Sequence, residues 1–297
     1  MINKNIINKI STVSNKVFLG ILISALSVSH AYADWKTSAK QKGFNKLESA
    51  LNKNLDNTEV SIKSTERNKP EFEILTVQPI LDKDNSITFF QGSALRHDGD
   101  RETVNLGLGH RLLLNDDTLL VGLNAFYDHE FDYSHKRSSI GAEVRSSVFE
   151  FNSNMYFAES NERTGKNSNT EEALDGKDFE IGGHVPYIPT WKFFAKQFEF
   201  QVPGANDYQG QEYSTEILIP NTGLTLTTGV KNYDHHNDNW YFEFTYNLGK
   251  VNPYAQLIQD QAYQLVSMGD KKLEKVRREN VIVKKIGSGF SVSASGF

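Results

Sequence analysis

Between Arg101 and Ala158 the chain alternates apolar and polar residues with almost nothing spent on connection. Val104, Leu106, Leu108 and Leu112 share one face, and Asn105, Gly107, Gly109 and Arg111 the other, a period of two that specifies a strand. After Asn115-Asp116-Asp117 the chain returns with Leu119, Val121, Leu123, Ala125 and Tyr127 on one side and Gly122, Asn124 and Asp128 opposite, which reads as a hairpin. Ile140/Ala142/Val144 against Gly141/Glu143/Arg145, then Phe149/Phe151/Met155/Phe157 against Glu150/Asn152/Asn154/Tyr156, repeat the pattern. Such two-faced antiparallel strands build either a soluble sandwich or a membrane barrel, with the oily faces meeting in the first and facing lipid in the second.

Extending the pattern gives twelve strands, at 58–66, 70–80, 86–95, 102–114, 117–128, 137–147, 148–158, 177–186, 191–202, 211–219, 222–232 and 239–249. Connections at Asn68-Lys69, Lys83-Asp84-Asn85 and Pro220-Asn221 are short, whereas Ser160 to Gly176 and Pro203 to Gly210 are long and polar. Short turns and long loops segregated to opposite rims are a barrel property.

The polar faces favour the barrel over the sandwich. They carry Glu143, Arg145, Glu150, Glu180, Glu216, Lys231 and Glu243 together with glycines 107, 109, 122, 141, 182 and 229. Glycine weakens an exposed strand face but makes room inside a narrow lumen, where charges on neighbouring strands can pair. Phe89/Phe90, Phe126/Tyr127, Tyr187, Trp191 and Trp240/Tyr241 are expected as girdle aromatics near the segment ends. On the last strand, Trp240, Phe242, Phe244, Tyr246 and Leu248 form an oily face similar to a closing-strand signal for outer-membrane insertion. The fold class is therefore all-β, a transmembrane antiparallel barrel of about twelve strands.

The N-terminus fits that destination. Lys4, Lys9 and Lys16 precede the apolar run Val17 to Leu26, which ends at Ala31-Tyr32-Ala33, so 1–33 reads as a Sec signal peptide. Residues 34–57 space Trp35, Ala39, Phe44, Leu47, Ala50, Leu51 and Leu55 as a short amphipathic leader helix. A net charge of −5 gives no basic excess for nucleic acid, and a chain of 297 residues without cysteine relies on no disulfide.

Three signatures in order, Thr103-Val104-Asn105-Leu106-Gly107-Leu108-Gly109-His110-Arg111, Val121 to Asp128, and Ile140-Gly141-Ala142-Glu143, resemble the β-domain of the intimin/invasin family, the inverse autotransporters. The resemblance continues through Asn154 to Phe157, Asp175 to Asp178 and Gly183-His184-Val185-Pro186. It implies a twelve-stranded outer-membrane barrel over 58–249, with a following linker over 250–286 that threads the pore and exports a C-terminal adhesive passenger. Pro253 to Met268 has partly helical spacing, Lys271 to Lys285 is strongly basic, and Val276 to Val283 looks like the family's linker. Only 287–297 follows, too short for a passenger domain, so anchoring and translocation are the expected roles and adhesion transfers less directly.

Lumen groups Arg111, Glu143, Arg145, Glu150, Glu180 and Glu243 are expected to grip linker residues Arg277, Arg278 and Asn280. The partners implied are outer-membrane lipid, the barrel-assembly machinery and periplasmic chaperones, with a host or bacterial surface ligand possible through the loops. Neither an enzyme nor a cofactor is expected. Asp128-His129, His135 and His235-His236 lie at strand ends and in loops without a metal motif, Asp82 to Ser86 reads as a turn, and Glu143/Glu150 suits charge pairing better than acid–base chemistry. A stand-alone porin-like barrel and a secreted β-sandwich binding protein remain the alternatives.

Overall fold

The computed structural model describes residues 56–66, 68–234, 237–248 and 258–287. The signal segment, nearly all of the leader, His235-His236 and the tail beyond Gly287 lie outside these residues.

Twelve antiparallel strands close on themselves. They are β1 (Thr58–Thr65), β2 (Glu71–Lys83), β3 (Ser86–His97), β4 (Arg101–Leu114), β5 (Leu119–Glu130), β6 (Lys136–Ser146), β7 (Phe149–Ala158), β10 (Gly176–Val185), β11 (Ile188–Phe200), β12 (Tyr208–Leu218), β13 (Leu224–Tyr233) and β14 (Asn239–Asn247). Each pairs with its neighbour, and β14 closes on β1 with Val60 opposite Tyr246 and Ile62 opposite Phe244. Closure satisfies both strand edges, which an open sheet in lipid could not do.

The alternation becomes inside and outside. Along β4 every second residue from Leu106 to Leu114 is exposed while Asn105, Gly107, Gly109, Arg111 and Leu113 are covered. The outward band of Leu108, Leu123, Ile140, Met155, Ile181, Phe193, Phe242 and Phe244 is about half exposed, as a lipid-facing surface must be. Charge fills the interior instead, with Arg101, Arg111 and Arg137 each at most 1% exposed.

Several boundaries differ from the sequence reading. Strand β2 runs past Pro79 to Lys83 by shifting register between Pro79 and Leu81. A proline cannot donate to the ladder, and a bulge lets pairing resume beyond it. The turn Asn115-Asp116-Asp117 has positive φ at all three residues, a conformation Asn and Asp tolerate better than other side chains. The segment between β7 and β10 is not merely a loop, because it holds β8 (Arg163–Thr164) and β9 (Thr170–Ala173). These join β15 (Lys284–Ile286) in a separate three-stranded sheet of order β15-β9-β8.

Three of the expected girdle aromatics point the other way. Phe89, Phe126 and Tyr241 are at most 5% exposed and face the lumen, while Tyr127 and Trp240 face outward. Their places are made by the inward glycines: a Cβ at Gly107 would strike the Phe126 ring, one at Gly109 the Phe89 ring, one at Gly182 Phe194 and one at Gly229 Tyr241. Nor do residues 258–268 form a helix. Their backbone bonds the barrel's turns instead, through Gln259 N–H to Tyr187 O at 2.8 Å and Met268 N–H to Asp117 O at 2.7 Å. Those bonds replace the i to i−4 bonds a helix would need.

Candidate functional site: the lumen and the linker

The site is the contact between the barrel interior and residues 268–287, and it climbs from one rim to the other. Antiparallel order puts the turns at 84–85, 115–118, 147–148, 186–187 and 219–223 on one rim and the longer connections, including 159–175 and 201–207, on the other. The short connection at 66–70 also falls on the loop rim, so the segregation is not perfect.

At the turn rim, Met268 packs against Leu113 and Leu120, and Lys272 Nζ reaches Asp82 Oδ1 at 2.6 Å. Just inside, Arg111 donates to Glu143 at 2.5 Å and to the carbonyls of Lys272 and Glu274, both at 2.6 Å. Arg145 bridges Glu143 at 2.8 Å and donates to the Lys275 carbonyl at 3.0 Å. Glu150 pairs with Lys192 of β11 and lies 4.0 Å from Arg145, so it steadies a gripping residue from the barrel side.

At mid-height, Val276 enters an apolar nest of Leu75, Val77, Ile87, Phe89 and Phe126, while its N–H donates to Gln91 Oε1 at 2.7 Å. Arg277 pairs with Glu180 at 2.5 Å and with Glu216, and its guanidinium sits 3.7 Å over the Phe194 ring centre. Arg278 donates to Asp128 Oδ2 at 2.6 Å and lies over Phe126 at 4.3 Å. Asn280 donates to Glu73 Oε1 at 2.8 Å. Stacking of Arg on aromatic faces and bidentate pairing with carboxylates reinforce one another where the side chains are buried.

Glu243 is placed differently from the expectation. It accepts from Thr245 Oγ1 at 3.1 Å and lines a cavity of about 110 Å³ beside Lys275 and Arg277, whereas Lys275 itself pairs with Glu59 at 2.5 Å. On the closing strand, Trp240, Phe242 and Phe244 face outward and Tyr246 is half-buried. Leu248 departs from that face: it lies beyond β14, is buried, and its N–H caps the Thr58 carbonyl at 2.8 Å where β14 meets β1.

At the loop rim, Val283 packs among Tyr156, Leu174, Phe198, Phe200, Val202 and Tyr208. Lys284 pairs with Glu130, and β15 continues on β9 with Lys284 opposite Ala173 and Ile286 opposite Glu171. Arg101 ties Glu130 to Glu171, and His135 lies 3.2 Å from Glu171. His135 is thus a buried member of a charge cluster and not an isolated loop residue. Glu130, His135 and Glu171 could hold a metal by ligand type, but Arg101 and Lys284 already bond the two carboxylates. Burial raises the Glu171 carboxyl, yet hydrogen bonds from His135, Arg101 and the Lys166 N–H outweigh it and hold it at about 2.

Residues the sequence reading did not single out for the grip include Asp128, Arg137, Asn154, Tyr156, Glu216 and Lys284. Inward parity was the available signal for Asp128, Arg137, Asn154, Tyr156 and Glu216. Nothing in the pattern told which inward residues meet the linker and which meet one another.

A family model described as inverse autotransporter, beta-domain matches residues 14–280. A putative attaching and effacing protein homolog of Escherichia coli (strain K12) is 31% identical over 115 residues, 38% of this chain and 37% of that protein. The inverse autotransporter adhesin YeeJ of the same strain is 27% identical over 125 residues, 42% of this chain and 5% of that protein. The chain therefore spans well under two thirds of either relative. A solved barrel reported under "Unveiling the Mechanism Behind the in-meso Crystallization of Membrane Proteins" has a TM-score of 0.62 at 20% identity, over 77% of this chain and 99% of that one, and shares the fold. A closed barrel with an oily exterior and a charged interior, matched by the family model over nearly its whole length, belongs to the inverse autotransporter β-domain family, an outer-membrane barrel of the bacterial envelope.

Proposed function

We propose that this barrel anchors and exports its own C-terminal segment, with the linker threading the pore from the periplasmic turn rim to the surface loop rim. The observation that carries the reading is the order of contacts: Met268 bonds Asp117 at the turn rim, Arg277 and Arg278 meet lumen carboxylates, and Gly287 N–H bonds Thr170 O, at 2.6 Å, beyond the loop rim. Linker residues 276–283 are largely buried among inward-facing side chains. The role is mechanical and not catalytic: charged sockets hold a peptide in a closed pore.

Residues 1–33 direct the chain to the Sec pathway, and lipid, the assembly machinery and periplasmic chaperones are its partners on the way to insertion. The names of the relatives, an attaching and effacing homolog and an adhesin, extend the reading to cell adhesion through whatever the linker delivers or through the loops.

An epitope placed after Phe297 tests the reading. Antibody should reach it on intact cells in which the protein fractionates with the outer membrane. Signal only after permeabilisation would remove the export reading.

A further inference from the structure

The lumen grips the linker in two chemically different ways. Linker cations enter carboxylate sockets, and that contact depends on the linker's sequence. The other contact does not. Arg145 donates to the carbonyl of residue 275 at 3.0 Å, Asn154 to that of 277 at 3.0 Å, and Arg137 to those of 279 at 2.6 Å and 281 at 3.0 Å. The Leu174 backbone N–H then takes the carbonyl of 283 at 3.0 Å, where the linker enters the β15–β9 pairing. Arg111 takes those of 272 and 274 just below.

From 275 to 283 every second carbonyl is thus taken, the period at which a strand offers one edge, although this backbone bends at 278 and 281 and becomes a strand only at Lys284. The donors Arg137 and Arg145 on β6 and Asn154 on β7 act where a neighbouring strand's N–H groups would act in a sheet. They are held from behind: Arg137 Nε by Asp128 at 2.8 Å, Arg145 by Glu143, and Asn154 Nδ2 also by Asp178 Oδ1 at 2.7 Å. A guanidinium fixed by a carboxylate presents its remaining N–H groups in a set direction and loses little side-chain entropy on binding.

We propose that this wall, Arg145, Asn154 and Arg137, with Arg111 holding the turn below it, is a binding site for polypeptide of any sequence, reading alternate backbone carbonyls as a strand edge does. The proposal rests on the reading that the linker lies in the pore and names what the pore accepts. The carboxylate sockets for Arg277, Arg278 and Lys284 then set where this linker comes to rest, and the wall accommodates whatever segment occupies the lumen.

The chain contains no cysteine, so single-cysteine labelling has no background. Ile282, 0% exposed, is replaced by Cys in the full-length protein purified in detergent, and the rate of reaction with a polar maleimide is compared with that of Cys at exposed Asp84. With the natural linker, Ile282→Cys should react at least about a hundredfold more slowly than Asp84→Cys. Equal rates would overturn the placement of the linker in the pore, and the proposal with it.

In a second protein, residues 272–281 and 283–286 are replaced by a Ser/Thr/Gln sequence of equal length, which removes Val283 and Lys284 with the other linker side chains and leaves the wall intact. The rate at Ile282→Cys should stay within about tenfold of the natural linker. A rise to the Asp84→Cys rate, with the natural linker still protected, would mean that the linker's own side chains hold it and would overturn the sequence-independent site alone. A third protein, Arg137→Gln with Asn154→Ala, should label more than about tenfold faster than its parent with either linker. Folded protein that labels no faster would also overturn the proposal. Should this variant fail to show the heat-modifiable mobility of a folded barrel, the linker replacement decides by itself, since it touches no barrel residue.

Discussion

Arg278 of the linker and Asp128 of β5, 150 residues apart in sequence, meet inside the barrel with both side chains wholly buried and Nη2 2.6 Å from Oδ2. The same Oδ2 accepts from Arg137 at 2.8 Å, so a single carboxylate compensates one arginine of the barrel and one of the linker.

That sharing makes the two ends of the pair unequal. Asp128→Ala strands two guanidinium groups, and removing one partner of a buried pair costs about 3–5 kcal/mol. Arg278→Ala leaves Asp128 paired with Arg137 and should cost clearly less. Denaturant unfolding in lipid vesicles, followed by tryptophan fluorescence, orders the two; equal losses would mean that Asp128 is not shared.

The lumen glycines predict a second asymmetry. Gly109→Ala drives a methyl group into the Phe89 ring, and overpacking of this kind costs about 1–3 kcal/mol. Shrinking Phe89 to Leu in the same chain should recover part of that loss. A double-mutant cycle in unfolding free energy checks this, and strict additivity would show that the ring does not press on Gly109.

Lipid exposure of the closing strand can be read by charge. Phe244, 55% exposed and opposite Ile62 of β1, lies on the outward band. Phe244→Arg should cost up to about 2–4 kcal/mol in vesicles, the value for a cation deep in the lipid-facing band. Leu248→Arg should instead impair closure at the turn rim. Folded fraction after refolding into vesicles separates them, and a neutral Phe244→Arg would remove Phe244 from the lipid face.

The loop-rim cluster should respond to acid. Glu171 is held at about 2 in the folded protein, below the ordinary glutamate value near 4.5, so its contribution is present above the unfolded value and is lost as pH falls towards about 2. Its partners Arg101 and the Lys166 N–H keep their protons throughout this range, and His135 is a donor to it. Protease cutting at the β15–β9 junction should therefore rise between about pH 4.5 and 2 in the natural protein. In Glu171→Gln it should be raised already and flat over that window; an unchanged acid profile in the variant would place the sensitivity elsewhere.

How much of this was legible in the chain follows from which interactions are local. Alternation along β4 to β7 is a property of neighbouring residues, so strand number, the inward parity of Glu143, Arg145 and Glu180, and the outward parity of Phe242 and Phe244 could be read directly. The basic run that supplies Arg277 and Arg278 was equally visible. Parity says only in or out, and Phe89 and Phe126 follow their inward parity into the lumen although they lie near segment ends, where girdle aromatics are expected. Their true partners, Gly109 and Gly107, sit on adjacent strands in a register fixed by pairing.

The sequence by itself determined twelve two-faced strands, one face charged, and a basic linker, because period two and residue polarity are set one position at a time, and its inward glycines and family signatures favoured the membrane barrel over a sandwich. Only the tertiary structure decided that Asp128 serves Arg137 and Arg278 together, that Glu243 lines a cavity, and that Arg137, Asn154 and Arg145 meet alternate linker carbonyls. Those contacts depend on closure, register and the path of a second segment across more than a hundred residues of chain, and a backbone carbonyl leaves no mark in a sequence.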